Sequence, residues 1–372
     1  MPPAVTDRVF NFSAGPACLP ESVLRQAQRD IYNIADSGMG ILEHSHRGKL
    51  FDRLTHETAA LCRQVGAIPD DYAVFWMQGG ATSQCYMVPA NLLGENQTAD
   101  YFQTGKWAND SIKEVPLYGN LHICGSSKAT NYDRLPPPSE IRYSSSPVYV
   151  QFTSNNTIVG TEWTGEPQNT PAGSFLVCDA SSNIVSRPID VTRYGLIYAG
   201  AQKNLGPSGI TLLIARPDVL ELSPRPLPDM VKYKNHAAAE GRFNTPNTFG
   251  VYLMGEVFKW ILAEGGLEAM AARNDEKAAV VYDFLDSQDF YTPHAQKASR
   301  SRMNITFKCP TPELDALFTQ EAEKHGLANL AGHRITGGMR ASMYNAFPKA
   351  GAVALVEFMK KFAHEHAAAA RA

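Results

Sequence analysis

Six short apolar runs recur between residues 72 and 215: Tyr72–Met77, Ala99–Gln103, Val148–Phe152, Phe175–Cys178, Leu196–Ala199 and Ile210–Ala215. Each is too short for a core helix and reads as a buried strand. The stretches between several of them can hold helices. Strand and helix in alternation predict an α/β domain with a mostly parallel sheet. Helical spacing of apolar residues marks Glu21–Tyr32, Gly48–Val65 (Leu50, Leu54, Ala59, Leu61) and about Thr82–Leu92. Two more helices follow, Thr248–Ala263, closed by Gly265 and Gly266, and Leu267–Phe284. The order then becomes strand (Arg302–Lys308), helix (Pro312–His325), strand (Gly338–Ser342), helix (Ala350–His366), a smaller α+β unit. The last residues, HEHAAAARA, read as a frayed helix end.

At 372 residues the chain can bury a large core in two domains. A formal net charge of −3 gives no support for nucleic-acid binding, which shows a strongly basic domain. No stretch approaches 18 uninterrupted apolar residues, so no membrane span is expected. The start, MPPAVTDRVFNFSAGP, lacks the basic and apolar regions of a secretory signal. Cysteines at 18, 62, 85, 124, 178 and 309 form no C-x-x-C and no zinc spacing with histidine, so no metal is expected. Cys85 and Cys178 read as small buried hydrophobes. Together these features suit a reducing, cytoplasmic compartment.

Ligands of open α/β sheets gather at the carboxyl ends of the strands. Three unusual features fall at such ends. Asp179 follows FLVC, Lys203 follows LIYAGAQ, and QGGATSQC (78 to 85) follows AVFWM and opens a helix. Taken singly, each has an ordinary explanation. A lysine stem packs while its ammonium reaches water, an aspartate caps a helix, and Gly-Gly makes a tight turn. GGATS is not a Walker motif, which needs G-K-[ST]. Taken together they suit pyridoxal phosphate. That cofactor needs a Schiff-base lysine, an acid facing its pyridinium nitrogen and an N–H-rich turn for its phosphate.

Ordered matches then run from residue 11 to about 360. They are NFSAGP (11 to 16), SHRGK (45 to 49), GGATSQ (79 to 84), TGKWA (104 to 108), the long stretch 179 to 209, FNTPNTF (243 to 249), SRMNITF (301 to 307) and GHRITGGMRASMYNA (332 to 346). In series they resemble the phosphoserine aminotransferase family of class V aminotransferases, which have the fold-type I architecture. The resemblance implies a large domain with a mostly parallel seven-stranded sheet, residues 16–262, and a small α+β domain from 1–15 and 263–372. It implies Lys203 as the lysine that links to the cofactor and then shuttles the substrate α-proton. Asp179 would hold the pyridinium nitrogen protonated, Trp107 would stack on the ring, and Thr157 would bond the phenolic oxygen. Ala81, Thr82 and Gln202 would hold the phosphate, with Asn244 and Thr245 reaching it from the second subunit of a homodimer. Some family members carry arginine at the position of Thr82, so phosphate charge here would fall more on the helix N-terminus and polar donors.

The implied reaction moves an amino group from glutamate to 3-phosphohydroxypyruvate, giving 2-oxoglutarate and O-phospho-L-serine, in serine biosynthesis and, in many bacteria, also on a pyridoxal phosphate precursor. Both substrates are anionic at two ends, which suits arginine forks. By resemblance Arg340 would grip the α-carboxylate. His46, Arg47, His333 and Arg334 would form the distal anion site, some of them contributed across the dimer. Ser13 is a pocket residue or a turn former. His44, His56 and His122 are read as structural. Other class V enzymes are the nearest alternatives: an alanine–glyoxylate type transaminase, which does not need so many distal cations, or a cysteine desulfurase, which needs a loop cysteine. A non-catalytic cofactor-binding protein and a cofactor-free lysine aldolase fit less of the pattern.

Overall fold

The computed structural model describes residues 8–222, 224–334 and 336–367. Seven strands form its main sheet: β1 Ala73–Gln78, β2 Thr98–Gln103, β3 Asn120–Ser126, β4 Pro147–Thr153, β5 Phe175–Asp179, β6 Tyr194–Gly200 and β7 Ile210–Ala215. Their spatial order is β1-β7-β6-β5-β4-β2-β3. β7 runs antiparallel to both of its neighbours, and the remaining pairs are parallel. This is the mostly parallel seven-stranded α/β sheet expected. The central strands are largely apolar because helices cover both faces. β6 and β7 are buried at every position.

One face packs Trp76, Phe152, Ile197, Leu212 and Ile214 against the helices Lys49–Gly66 and Thr248–Ala263. Lys49–Gly66 buries Phe51, Leu54, Thr58, Cys62 and Val65, a stripe at three- and four-residue spacing. The other face packs Phe75, Tyr149, Val177, Leu196 and Leu213 against the helix Gln84–Leu92 and Tyr233. A third cluster joins Phe12 to Ile305, Phe307, Phe318, Met339, Leu355 and Phe362 around a sheet of Thr292–Pro293, Asn304–Lys308 and Met339–Ser342. Each large apolar side chain buried in these clusters contributes roughly 1.5–3 kcal/mol.

The structure adds elements that the apolar pattern did not mark. β3 is an edge strand paired only with β2, and its exposed Asn120 and half-buried His122 break the apolar run. The helix Lys106–Glu114 is mostly polar. Several ends shift by a residue or two. A 3-10 turn, Ala81–Ser83, precedes the helix that begins at Gln84, and the late strands start at Asn304 and Met339. The last helix runs Lys349–His366. The frayed end expected beyond it lies, from residue 368 on, outside the described residues. No helix among the described residues is long and apolar enough to cross a membrane.

Candidate active site

The carboxyl ends of β1, β2, β4, β5 and β6 meet at one edge of the sheet and surround a cavity of about 340 Å³. Ligand pockets start near this size, about 300 Å³. The strands hand over their functional residues as they end. β5 closes on Asp179, the turn after β6 carries Gln202 and Lys203, and the turn after β1 carries Gly80, Ala81 and Thr82. Trp107 comes from the first turn of the helix after β2, and Thr157 from the hairpin after β4. Arg340, on Met339–Ser342, and His333 close the far wall.

Lys203 sits at the bottom of the cavity, 9% exposed. Its Nζ donates to the Ser182 hydroxyl at 2.6 Å and the Thr157 hydroxyl at 2.9 Å. Burial pushes its ammonium down from 10.5 to about 8; the Asp179 carboxylate opposes the fall and Arg340 adds to it. An amine so shifted is a better nucleophile and base near neutral pH than an exposed lysine. Asp179 accepts the Ser181 N–H at 3.0 Å and contributes its carbonyl to Ser154. Burial also holds His333 below its ordinary value, helped by the Arg340, Arg334 and Lys106 charges.

The turn from β1 into the next helix makes an anion seat. Gly79 takes φ +90°, a conformation glycine adopts without strain. The N–H groups of Ala81 and Thr82 open the turn, where helical partners are lacking and the dipole is positive. Two buried donors on the cavity wall, Trp107 Nε1 and Arg340 Nε, have no acceptor among the described residues. Leaving such donors unpaired costs about 1–3 kcal/mol each. An oxygen-rich anionic ligand supplies what they lack.

The cavity therefore brings together Ala81, Thr82, Trp107, Thr157, Asp179, Gln202, Lys203, His333 and Arg340. Five expected site residues lie off it. Asn244 donates to the Gln78 side chain at 2.9 Å, and the Thr245 carbonyl accepts from the same side chain. His46 and Arg47 stand in the loop before the helix Lys49–Gly66, and Arg334 is exposed beside His333. Ser13 does not line the cavity; its hydroxyl accepts the Gly15 N–H in a turn, while Ala14 and Gly15 form the wall. Cys85 is buried as expected, yet it also lines the cavity. Burial pushes its thiol up to about 11. Sequence reasoning misses Ser182, although it stands in DASSN directly after β5, a position where a hydroxyl faces the site.

Comparison with known proteins settles the family. The model of the class V aminotransferases matches residues 9–355. The phosphoserine aminotransferase of Desulfotalea psychrophila is 48% identical over 96% of this chain and 99% of its own length. The chain belongs to the phosphoserine aminotransferase family of class V aminotransferases. The phosphoserine aminotransferase structure from Bacillus circulans subsp. alkalophilus is similar with a TM-score of 0.94 at 43% identity, covering 97% of this chain and 100% of that one. A PLP-bound phosphoserine aminotransferase structure from Trichomonas vaginalis gives 0.90 at 35%, covering 95% and 100%. The family's cofactor, pyridoxal phosphate, fits this cavity. It is an anion for the Ala81–Ser83 turn, a carbonyl for the perturbed lysine and an acceptor set for the unpaired donors.

A pH effect on stability follows for this aminotransferase without cofactor. The Lys203 amine binds protons less readily in the folded chain, about 8, than at its ordinary 10.5. Between these values the unfolded chain holds more protons, so the Lys203 contribution makes stability rise with pH across that window and leaves it level below pH 8. Urea melts of wild type and Lys203→Met over pH 7–10 test this. The stability advantage of the methionine variant is expected to shrink above pH 8. A constant difference would remove the perturbed amine.

Proposed function

We propose that this chain transfers the amino group of L-glutamate to 3-phosphohydroxypyruvate, releasing 2-oxoglutarate and O-phospho-L-serine. Bound pyridoxal phosphate supplies the electron sink for the electrons left at the substrate α-carbon. The chain's residues do the rest. Lys203 Nζ takes and returns the proton at the α-carbon, the position its burial and lowered proton affinity suit. Asp179 keeps the ring nitrogen protonated, Trp107 covers the ring, and Thr157 holds the phenolic oxygen. Ala81, Thr82 and Gln202 hold the phosphate.

Arg340 takes the α-carboxylate that donor and acceptor share, and His333 begins the distal anion site. The observation that carries this reading is a half-buried arginine and a buried lysine on one cavity wall, with no carboxylate paired to Arg340 among the described residues. In a homodimer, a second copy would bring His46, Arg47, Asn244 and Thr245 toward this cavity, with Arg334 completing the distal site. The enzyme would work in the cytoplasm, in serine biosynthesis.

An absorbance spectrum of the purified protein with pyridoxal phosphate tests the reading. The band of lysine-bound cofactor is expected to fall on adding L-glutamate and, separately, on adding O-phospho-L-serine. A band that answers alanine or cysteine instead keeps the fold and removes the substrate assignment. No band at all removes Lys203 as the cofactor residue.

A further inference from the structure

A second buried lysine lies behind the cavity wall. Lys277, on the helix Gly266–Asp286, is 2% exposed. Among the described residues no carboxylate pairs with it. Its Nζ donates instead to three backbone carbonyls of one turn, those of Tyr344 at 2.7 Å, Met343 at 3.2 Å and Asn345 at 3.5 Å. Burying an ammonium without an anion is costly. Burial pushes Lys277 down from 10.5 to about 7. If packing were all this position did, a methionine would fill it at lower cost.

The turn 343–345 joins three parts of the active site. Met339–Ser342 carries Arg340 directly into it. The Tyr344 hydroxyl donates to the carbonyl of Ala14, on the cavity wall, at 2.9 Å. The Asn345 N–H donates to Asn204 Oδ1 at 2.9 Å, beside Lys203. Asn204 in turn donates to the Ile184 carbonyl at 3.1 Å and the Ser182 carbonyl at 3.4 Å, and the Ser182 hydroxyl receives Lys203 Nζ. From the same helix, Asn274 grips Asn345 Oδ1 at 2.8 Å and the Ser186 carbonyl at 3.1 Å.

We propose that Lys277 is a positioning residue: its side-chain amine fixes the turn 343–345 and thereby the placement of Arg340 relative to Lys203. This rests on the role given to Arg340 above. Three carbonyl dipoles converge on the Lys277 Nζ, and an amine on a long stem, a donor in its neutral and its charged form alike, is what ties them together. Removing it lets the turn relax and carries Arg340 away from the reach a substrate α-carboxylate needs, where a displacement of about 1 Å costs up to about 10²-fold.

The test uses Lys277→Met, which keeps the stem and removes every donor, with Asn274→Ala as a second route to the same turn. Each is measured in the loaded enzyme for kcat/KM with L-glutamate and with 2-oxoglutarate. Calorimetry gives the Kd of glutarate, a dicarboxylate that cannot react. About a tenfold loss is expected in both kcat/KM values, with a parallel rise in the glutarate Kd. In an Arg340→Leu background the same substitution is expected to have little further effect, because residues acting through one another are not additive. A lowered Tm with unchanged kinetics and glutarate affinity overturns the proposal, as does a loss that adds in full to that of Arg340→Leu. If Lys277→Met does not fold, Asn274→Ala carries the same comparison, and the same two results overturn the proposal. A wild type that does not transaminate glutamate overturns the functional reading instead, and the glutarate measurements separate the two cases.

Discussion

Lys203→Ala is expected to lower kcat for transamination by at least about 10³-fold while leaving the fold and much of the cofactor affinity in place. The magnitude follows from the task. A positioned proton-transfer group contributes about 10²–10⁴-fold, and in the proposed function the same atom also makes the covalent link to the cofactor. Its Nζ has two hydroxyl partners, Thr157 and Ser182. These already hydrogen-bond each other and keep that partner once the amine is gone, so the variant loses little stability. The remaining wall (Asp179, Trp107 and the Ala81–Thr82 turn) still offers a seat for the anionic cofactor. Steady-state rates with glutamate and the keto acid, beside a dialysis assay of retained cofactor, check both halves. Lys203→Arg is expected to rescue nothing, because a guanidinium does not give up its proton in this range. Wild-type turnover in Lys203→Ala would move the base elsewhere.

Much of this is legible in the sequence, for identifiable reasons. The five internal strands of the main sheet, and the edge strand β1 whose Val74, Phe75, Trp76 and Met77 pack into the clusters on both faces, are covered on both sides, so each appears as a largely apolar run. β3 sits at the edge with one neighbour; its Asn120 and His122 face less crowded surroundings, and the run is broken. The helix Lys106–Glu114 shows the opposite problem. It buries only Ala108 and Ser111, too few positions to reveal a period, yet it carries Trp107 into the site. Lys203 and Asp179 stand out because a charge directly after an apolar strand is unusual. Ser182 and Lys277 do not. A serine after a strand is commonplace, and Lys277 lies in a charged stretch, RNDEK, that reads as a solvated helix face. Only the packing of Gly266–Asp286 against the turn 343–345 turns that lysine inward. His46, Arg47, Asn244 and Thr245 can be named from motifs alone, but their distances from the cavity of their own chain belong to tertiary structure.

Arg340→Leu is expected to weaken both half-reactions together. Donor and acceptor share only their α-carboxylate end, so an interaction there is lost for every substrate, whereas a distal interaction is lost selectively. Arg340 is suited to the shared end. It projects from a strand paired with Asn304–Lys308, lines the same cavity as Lys203, and keeps a buried Nε without a partner among the described residues. Burial lowers its proton affinity, with the nearby Tyr344 opposing the fall, yet a guanidinium remains charged across the working range. Removing one partner of a desolvated, hydrogen-bonded charge pair costs about 2–5 kcal/mol, which corresponds to ~30-fold to ~4,000-fold in kcat/KM. Leucine retains much of the packing of the stem, so the folded state should persist. The decisive comparison sets this variant beside Arg334→Leu. Arg340→Leu should depress kcat/KM for glutamate, 2-oxoglutarate and the phosphorylated keto acid by similar factors. Arg334→Leu, at the exposed distal position, should spare substrates with a small uncharged side chain and penalise those with a distal anion. If Arg340→Leu affected the phosphorylated substrate alone, the two anion ends would be exchanged, and the α-carbon would have to approach Lys203 from the His333 side of the cavity.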